Sequence, residues 1–228
     1  MSDLTVIYYT ANNISDYFAK NTQKQLLKAI GDLPLISVSK KPMDLGQNIV
    51  VDLPRTHFNI YRQALIGAMA AETKYIALAE DDVLYAPEHF KHRPVDGRFA
   101  YNLGAWSIFT WQDPPMFTHK GTVRRNLNSL ICERNLFIEA MDERFAKYPE
   151  PDGQRIKDLW AEPGKYERQL GVTVRETTVF YSNPPNIVFS HKDELSFEGL
   201  GTRKRLGEFR AIEIPHWGKA IDIVKEYK

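Results

Sequence analysis

A single cysteine, Cys132, stands among 228 residues, so no disulfide can form within the chain and its stability has to come from burial. Long apolar runs are missing too. The longest stretches, such as Tyr75 to Ala79 and Asn186 to Phe189, fall far short of the roughly 20 residues that cross a bilayer. Net charge is almost absent, since 30 basic against 29 acidic residues leave a formal +1. No global field therefore recommends nucleic acid or an anionic membrane as partner. The opening residues, Met1-Ser2-Asp3-Leu4-Thr5-Val6, enter a strand without the basic and apolar regions of a secretion signal. With the lone thiol, this leads to the expectation of a cytoplasmic protein. Internal repeats and low-complexity tracts are also lacking.

What is present suits a sizeable core, with 43% hydrophobic and 12% aromatic residues. Leu4 to Tyr9 is a β-branched and aromatic run that reads as a strand buried on both faces. A helix is expected from about Ser15, a suitable N-cap, to Gly31, a suitable C-terminal cap. Strands are expected at Leu35 to Val38 and Asn48 to Asp52. Phe58 to Glu72 follows as a helix with small residues able to pack closely on a sheet. Tyr75 to Ala79 then returns as a strand running into Glu80-Asp81-Asp82. This alternation predicts an α/β fold with a mostly parallel central sheet flanked by helices, whose ligands lie at the carboxyl ends of the strands. Thr10 to Asn13 and Glu80 to Asp82 fall on that rim.

Beyond Pro94 the expectation is a long aromatic strand from Phe99 to Phe109, a strand at Ser129 to Cys132, and a helix from about Glu133 to Lys147. A charged helical segment, Gly153 to Leu170, interrupted at Pro163-Gly164, precedes strands at Val172 to Tyr181 and Ile187 to Ser190. The second half reads as a mixed extension of the first sheet within one domain spanning residues 1–228.

Three carboxylates where a buried strand emerges repel one another unless something positive sits among them, and a divalent cation meets that need. Oxygen ligands suit magnesium or manganese, which also bind substrate phosphates. Alternation along a strand puts Glu80 and Asp82 on one side, toward the metal, and Asp81 on the other, toward a ribose. The plainer reading is an acidic turn capping a helix that begins near Pro87.

The stretch from Arg62-Gln63-Ala64-Leu65 to Tyr75-Ile76-Ala77-Leu78-Ala79-Glu80-Asp81-Asp82-Val83 resembles the donor-site core of GT-A fold glycosyltransferases. Those enzymes carry an Asp-any-Asp motif, with Glu-Asp-Asp as a variant. The resemblance covers approximately residues 4 to 192 and departs from the commonest pattern in its leading Glu. It implies a GT-A (Rossmann-like) fold with a nucleotide-binding half over 1–93, an acceptor half over 94–190, and a C-terminal loop and tail over 191–228. It also implies that the triplet holds Mn2+ or Mg2+ against the diphosphate of a nucleotide-sugar donor, uridine diphosphate being the usual carrier. Arg62 then contacts the nucleotide, and Thr10, Ala11 and Asn12 line the base and ribose pocket.

Many GT-A enzymes recruit a late histidine as a further metal ligand and close a basic loop over the diphosphate. By resemblance, His191 takes the first role, and Lys192 and the segment Gly199, Gly201, Arg203-Lys204-Arg205 the second. Imidazole is a good ligand for such ions, and a glycine-spaced basic loop can neutralise a leaving diphosphate. Against this stand a structural histidine and a solvated basic turn. Transfer to a hydroxyl with inversion needs a carboxylate as general base. Trp160-Ala161-Glu162-Pro163-Gly164-Lys165-Tyr166-Glu167 resembles the place where inverting members carry it, with Glu162 named first and Glu167 second. A helix-terminal acid favoured by the helix dipole is the bland alternative.

The acceptor is expected to be a glycan or another hydroxyl compound. Hydroxymethylated phage DNA is also kept, with Lys91, Arg93, Arg98, Lys120, Arg124 and Arg125 as backbone contacts. A nucleotidyltransferase is the rival enzyme, although Thr10-Ala11-Asn12-Asn13 lacks the glycines of a phosphate loop. A non-catalytic nucleotide- or glycan-binding module is the rival of another class.

Overall fold

The computed structural model describes residues 2–121, 125–150, 156, 159–191 and 207–227. The chain opens with β1 (Leu4–Thr10), α1 (Asp16–Ile30), β2 (Leu35–Ser39), β3 (Gln47–Val50), α2 (His57–Ala70) and β4 (Tyr75–Glu80). A two-residue strand β5 (Val83–Leu84) and a 3-10 turn over Pro87–Lys91 follow. Next come β6 (Arg98–Asn102), β7 (Ala105–Phe109), β8 (Phe117–His119), β9 (Leu130–Glu133), α3 (Arg134–Lys147) and a short α4 (Glu167–Leu170). The chain continues with β10 (Glu176–Phe180), β11 (Asn186–Ser190), β12 (Phe209–Ala211), β13 (Glu213–Ile214), β14 (Gly218–Lys219) and α5 (Ala220–Tyr227).

The architecture is α/β, with a large mixed sheet flanked by helices. Among the described residues that sheet has seven strands in the order β10-β6-β9-β4-β1-β2-β3. Strands β4, β1, β2 and β3 are parallel, and β10 is parallel to β6. The antiparallel strand β9 joins the two groups. The carboxyl ends of β1, β2, β3, β4, β6 and β10 therefore share one rim with the amino end of β9.

All seven residues of β1 are buried, because a central strand covered on both faces alternates apolar side chains into two cores. Ile7 and Tyr9 join the face under α2 and α3, with Ile36, Val38, Leu78, Phe137 and Met141. Val6 and Tyr8 join the face under α1, with Leu26, Ile30, Ala77 and Ala79. In α1 the buried residues Phe18, Thr22, Leu26, Ala29 and Ile30 keep helical spacing, while Tyr17 and Leu27 are exposed. Ser15 caps the helix by accepting from the Phe18 N–H at 3.3 Å. Gly67 lets α2 lie directly on β1 and β2, since a Cβ there would stand 2.3 Å from Ile7 Cγ2 and 3.3 Å from Val38 Cγ2.

The long aromatic strand expected over 99–109 is two strands in different sheets. Strand β6 ends at Asn102 in the large sheet, and β7 starts at Ala105 in a five-stranded sheet, order β12-β8-β7-β11-β5. The break falls at Leu103-Gly104, where a Cβ on Gly104 would lie 2.8 Å from both the amide nitrogen and the carbonyl oxygen of Ser182. The segment before Leu170 is not a long helix either. Its described part is mostly loop, closed by the four-residue α4. The C-terminal tail is structured: β12 pairs with β8, and α5 buries Ala220, Ile223, Val224 and Tyr227 against the second sheet and Phe18. No helix among the described residues is long and apolar enough to cross a membrane.

Candidate donor and metal site

The triplet sits where β4 leaves the sheet. Glu80 is the last residue of β4, and Asp81 and Asp82 form the turn into β5. The strand alternation expected for all three therefore stops at Glu80. Glu80 stands opposite Tyr9 in register and accepts from the Tyr9 hydroxyl at 2.8 Å and from Asn128 Nδ2 at 2.7 Å. Asp81 accepts from the Thr10 hydroxyl. Asp82 turns toward β11: its carbonyl accepts from the Phe189 N–H at 2.8 Å, and its Oδ2 stands 3.7 Å from His191 Nε2. Its Oδ1 is buried and has no hydrogen-bond partner among the described residues.

This crowding has an electrostatic signature. Burial and then the charge of Asp82 raise the Glu80 carboxyl well above the usual carboxylate range, against the hydrogen bonds from Tyr9 and Asn128. Burial and Asp82 likewise raise Asp81, with Thr10 and His191 opposing. Raised carboxylates mark sites where added positive charge is stabilising. A cation fits the orphaned Asp82 Oδ1 and the neighbouring imidazole. Among the described residues, however, no group of three or more His, Cys, Asp or Glu stands assembled to hold a metal. Of the expected set, the structure brings Asp82 and His191 together, while both Glu80 oxygens are engaged by Tyr9 and Asn128.

Of the expected pocket residues, Thr10 is buried and braced: its hydroxyl accepts from the Asn12 N–H at 2.9 Å, and its carbonyl accepts from Gln63 Nε2 at 2.9 Å. Ala11 lies half-buried beside it. Asn12 adopts a φ of 54°, a left-handed conformation that Asn tolerates. Its Oδ1 accepts from the N–H groups of Lys40 and Lys41 at 2.8 and 3.0 Å. Arg62 is engaged by the α3 side, donating to the Pro149 carbonyl at 2.6 Å with its guanidinium 4.3 Å over the Phe145 ring. Lys192, Gly199, Gly201, Arg203, Lys204 and Arg205 lie outside the described residues, as does Arg124.

The two candidate bases are separated by their surroundings. Glu167 is buried, accepts from Arg144 at 2.9 Å and from the Gly164 N–H, and so belongs to the scaffold. Glu162 lies in a loop clamped on every side. His57 Nε2 contacts the Trp160 carbonyl at 3.1 Å, Arg144 donates to the Ala161 carbonyl, and Tyr101 donates to the Pro163 carbonyl at 2.6 Å. Its nearest ionic neighbour is Lys165, at 3.9 Å. Burial, then the charge of Glu162 and, further down, that of Glu80 push the Tyr61 phenol well above its ordinary value, with Arg144 opposing.

Sequence reasoning missed Tyr9, Asn128, Lys40 and Lys41. The lysines lie just past the end of β2, where their backbone N–H groups hold Asn12; Asn128, on the turn before an antiparallel strand, carried no signal. The basic residues considered for a phosphate backbone are partly spent. Arg93 pairs with Asp3 at 2.7 Å and Arg98 with Glu176 at 2.8 Å, both at the rim opposite the triplet, and Lys91 pairs with Glu88 at 3.2 Å. Arg125 lies 5.9 Å over the Tyr101 ring.

The sequence matches no protein-family model and no curated protein. Among solved structures, a nucleotidyl transferase from Methanothermobacter thermautotroptrophicus is similar at 13% identity and a TM-score of 0.42, with 78% of this chain and 87% of that chain covered. The apo-form glycosyltransferase GlyE of Streptococcus pneumoniae is similar at 8% identity and 0.45, covering 78% of this chain and 45% of its own. A TarS segment of S. aureus in complex with UDP-GlcNAc is similar at 10% and 0.46, covering 85% and 60%. The chain thus spans about half of that GlyE chain and three fifths of the TarS segment. At scores this low the likenesses carry no argument about activity.

Proposed function

We propose that the chain is a metal-dependent glycosyltransferase that takes a nucleoside-diphosphate sugar at the rim of the large sheet and passes the sugar to an acceptor hydroxyl. The observation that carries this reading is the buried Asp82 Oδ1, unpartnered among the described residues, beside His191 and two carboxylates raised by burial and by the charge of Asp82. A buried carboxylate oxygen without a donor is costly. A cation shared with a diphosphate offsets that cost.

In this reading Asp82 and His191 hold manganese or magnesium, and Asp81, tied to Thr10, lies on the nucleotide side. Asn12, Lys40 and Lys41 shape the base and ribose end. When bound, the ion supplies positive charge against the diphosphate leaving group. Glu162, held by its clamped loop, takes the proton of the acceptor hydroxyl. The hydroxyl oxygen bonds the anomeric carbon as the bond to the diphosphate breaks, with inversion. The donor proposed is a uridine-linked sugar and the acceptor a glycan.

Asp82→Ala tests the assignment. Thermal-shift titration with a panel of nucleotide sugars, with and without Mn2+, is expected to show metal-dependent stabilisation. The variant should keep the fold and lose both that stabilisation and the release of free nucleotide. Undiminished nucleotide release by the variant sinks the reading. Binding without release by the unaltered chain supports a non-catalytic module instead.

A further inference from the structure

Glu80 is tethered through both carboxylate oxygens and its backbone N–H. Tyr9 donates to Oε1 at 2.8 Å from β1, and Asn128 donates to Oε2 at 2.7 Å from the turn before β9. The Glu80 N–H donates to the Tyr85 hydroxyl at 3.1 Å, and that hydroxyl donates to the Asn128 carbonyl at 3.0 Å. Glu80, Asn128 and Tyr85 thus close a ring of hydrogen bonds, braced by Tyr9. Tyr9, Tyr85 and Asn128 are all buried.

Magnitudes separate two roles for this carboxylate. To ligate a cation, Glu80 must turn an oxygen away from Tyr9 or Asn128, leaving a buried phenol or amide unsatisfied at about 1–3 kcal/mol. Asp82 Oδ1 has no bond to give up among the described residues. We infer that Glu80 is a positioning residue rather than a cation ligand: its clamp fixes the direction in which the chain leaves β4 and so holds Asp82 against His191. This rests on the proposal that Asp82 and His191 bind the cation, and it replaces the expectation that Glu80 is itself a ligand. The Phe189 N–H, bonded to the Asp82 carbonyl at 2.8 Å, reports where that turn lies even without metal.

The test uses the full chain, Mn2+ as the probe, and two readouts: Mn2+ affinity by calorimetry and hydrogen exchange of the Phe189 amide in the metal-free protein. Glu80→Gln keeps an oxygen for Tyr9, and Asn128 can meet the new amide by turning its own. This variant should leave both readouts near those of the unaltered chain. Glu80→Ala and Asn128→Ala should each speed Phe189 exchange by about tenfold or more, the worth of about one to two hydrogen bonds, and weaken Mn2+ binding in parallel. Asp82→Asn should lose Mn2+ binding with Phe189 exchange unchanged. Loss of Mn2+ binding in Glu80→Gln as complete as in Asp82→Asn overturns the inference, as does unmoved Phe189 exchange in Glu80→Ala. An Asp82→Asn chain that still binds Mn2+ defeats the cation assignment instead, and the Phe189 readout still decides the positioning role.

Discussion

Asp82 Oδ2 stands 3.7 Å from His191 Nε2, although one residue lies in the turn after β4 of the first sheet and the other follows β11 of the second. The contact exists because β11 pairs antiparallel with β5, immediately after Asp82. Phe18 supports the imidazole at a ring separation of 5.6 Å and is itself packed by Tyr227 of α5 at 5.4 Å. His191→Ala should lower Mn2+ affinity by at least the roughly 10- to 100-fold that loss of a group merely supporting a ligand costs, while circular dichroism stays unchanged. Calorimetric titration decides it.

Glu162→Gln should cut kcat by about 10²- to 10⁴-fold, the usual contribution of a general base. The donor KM should hold, since the variant keeps the size and the loop. Steady-state kinetics with a competent acceptor give the split. Unchanged kcat would remove Glu162 from the chemistry.

Glu167→Gln leaves Arg144 buried without its anion, and breaking one partner of a buried pair costs about 3–5 kcal/mol. Thermal melts and urea midpoints should drop accordingly. Activity per folded molecule should fall far less than in Glu162→Gln.

His89 predicts an acid limb to stability. Its Nδ1 faces the side-chain amides of Asn102 at 3.0 Å and Asn186 at 3.3 Å, both placed to donate, and Tyr85, Phe90 and Phe180 pack around the ring. Burial, with the nearby His92 charge, lowers its pKa from 6.5 to about 3. The folded state therefore binds fewer protons than the unfolded chain between those values, so stability is full above 6.5 and declines as pH falls toward 3. The slope reaches at most about 1.4 kcal/mol per pH unit. Urea titrations at pH 7, 5.5 and 4.5 should show this decline, and His89→Gln should flatten it while lowering stability at pH 7.

Gly67→Ala should destabilise by about 1–3 kcal/mol, because overpacking against Ile7 and Val38 forces α2 off the sheet. Chemical denaturation measures it. A neutral result would show that α2 can shift without loss.

The α/β class and the rim were legible because each signal is local. An apolar run buried on both faces, a capped helix with apolar spacing, and three acids at a strand end are properties of neighbours in sequence. The same locality explains the misreadings. Phe99 to Phe109 carries aromatics on both sides of Asn102-Leu103-Gly104, and that short interruption does not say that the chain changes sheet; the approach of Ser182 to Gly104 imposes it. The helix at Ala220–Tyr227 did carry a signal, with Ala220, Ile223, Val224 and Tyr227 at helical spacing.

The sequence by itself determined that three carboxylates would crowd the exit of β4. Only the tertiary structure decided that they have three different environments, because β1 brings Tyr9 and Thr10, the turn before β9 brings Asn128, and β11 brings His191. A carboxylate's role depends on its solvation and its partners. Those are contributed by strands adjacent in the sheets but distant along the chain.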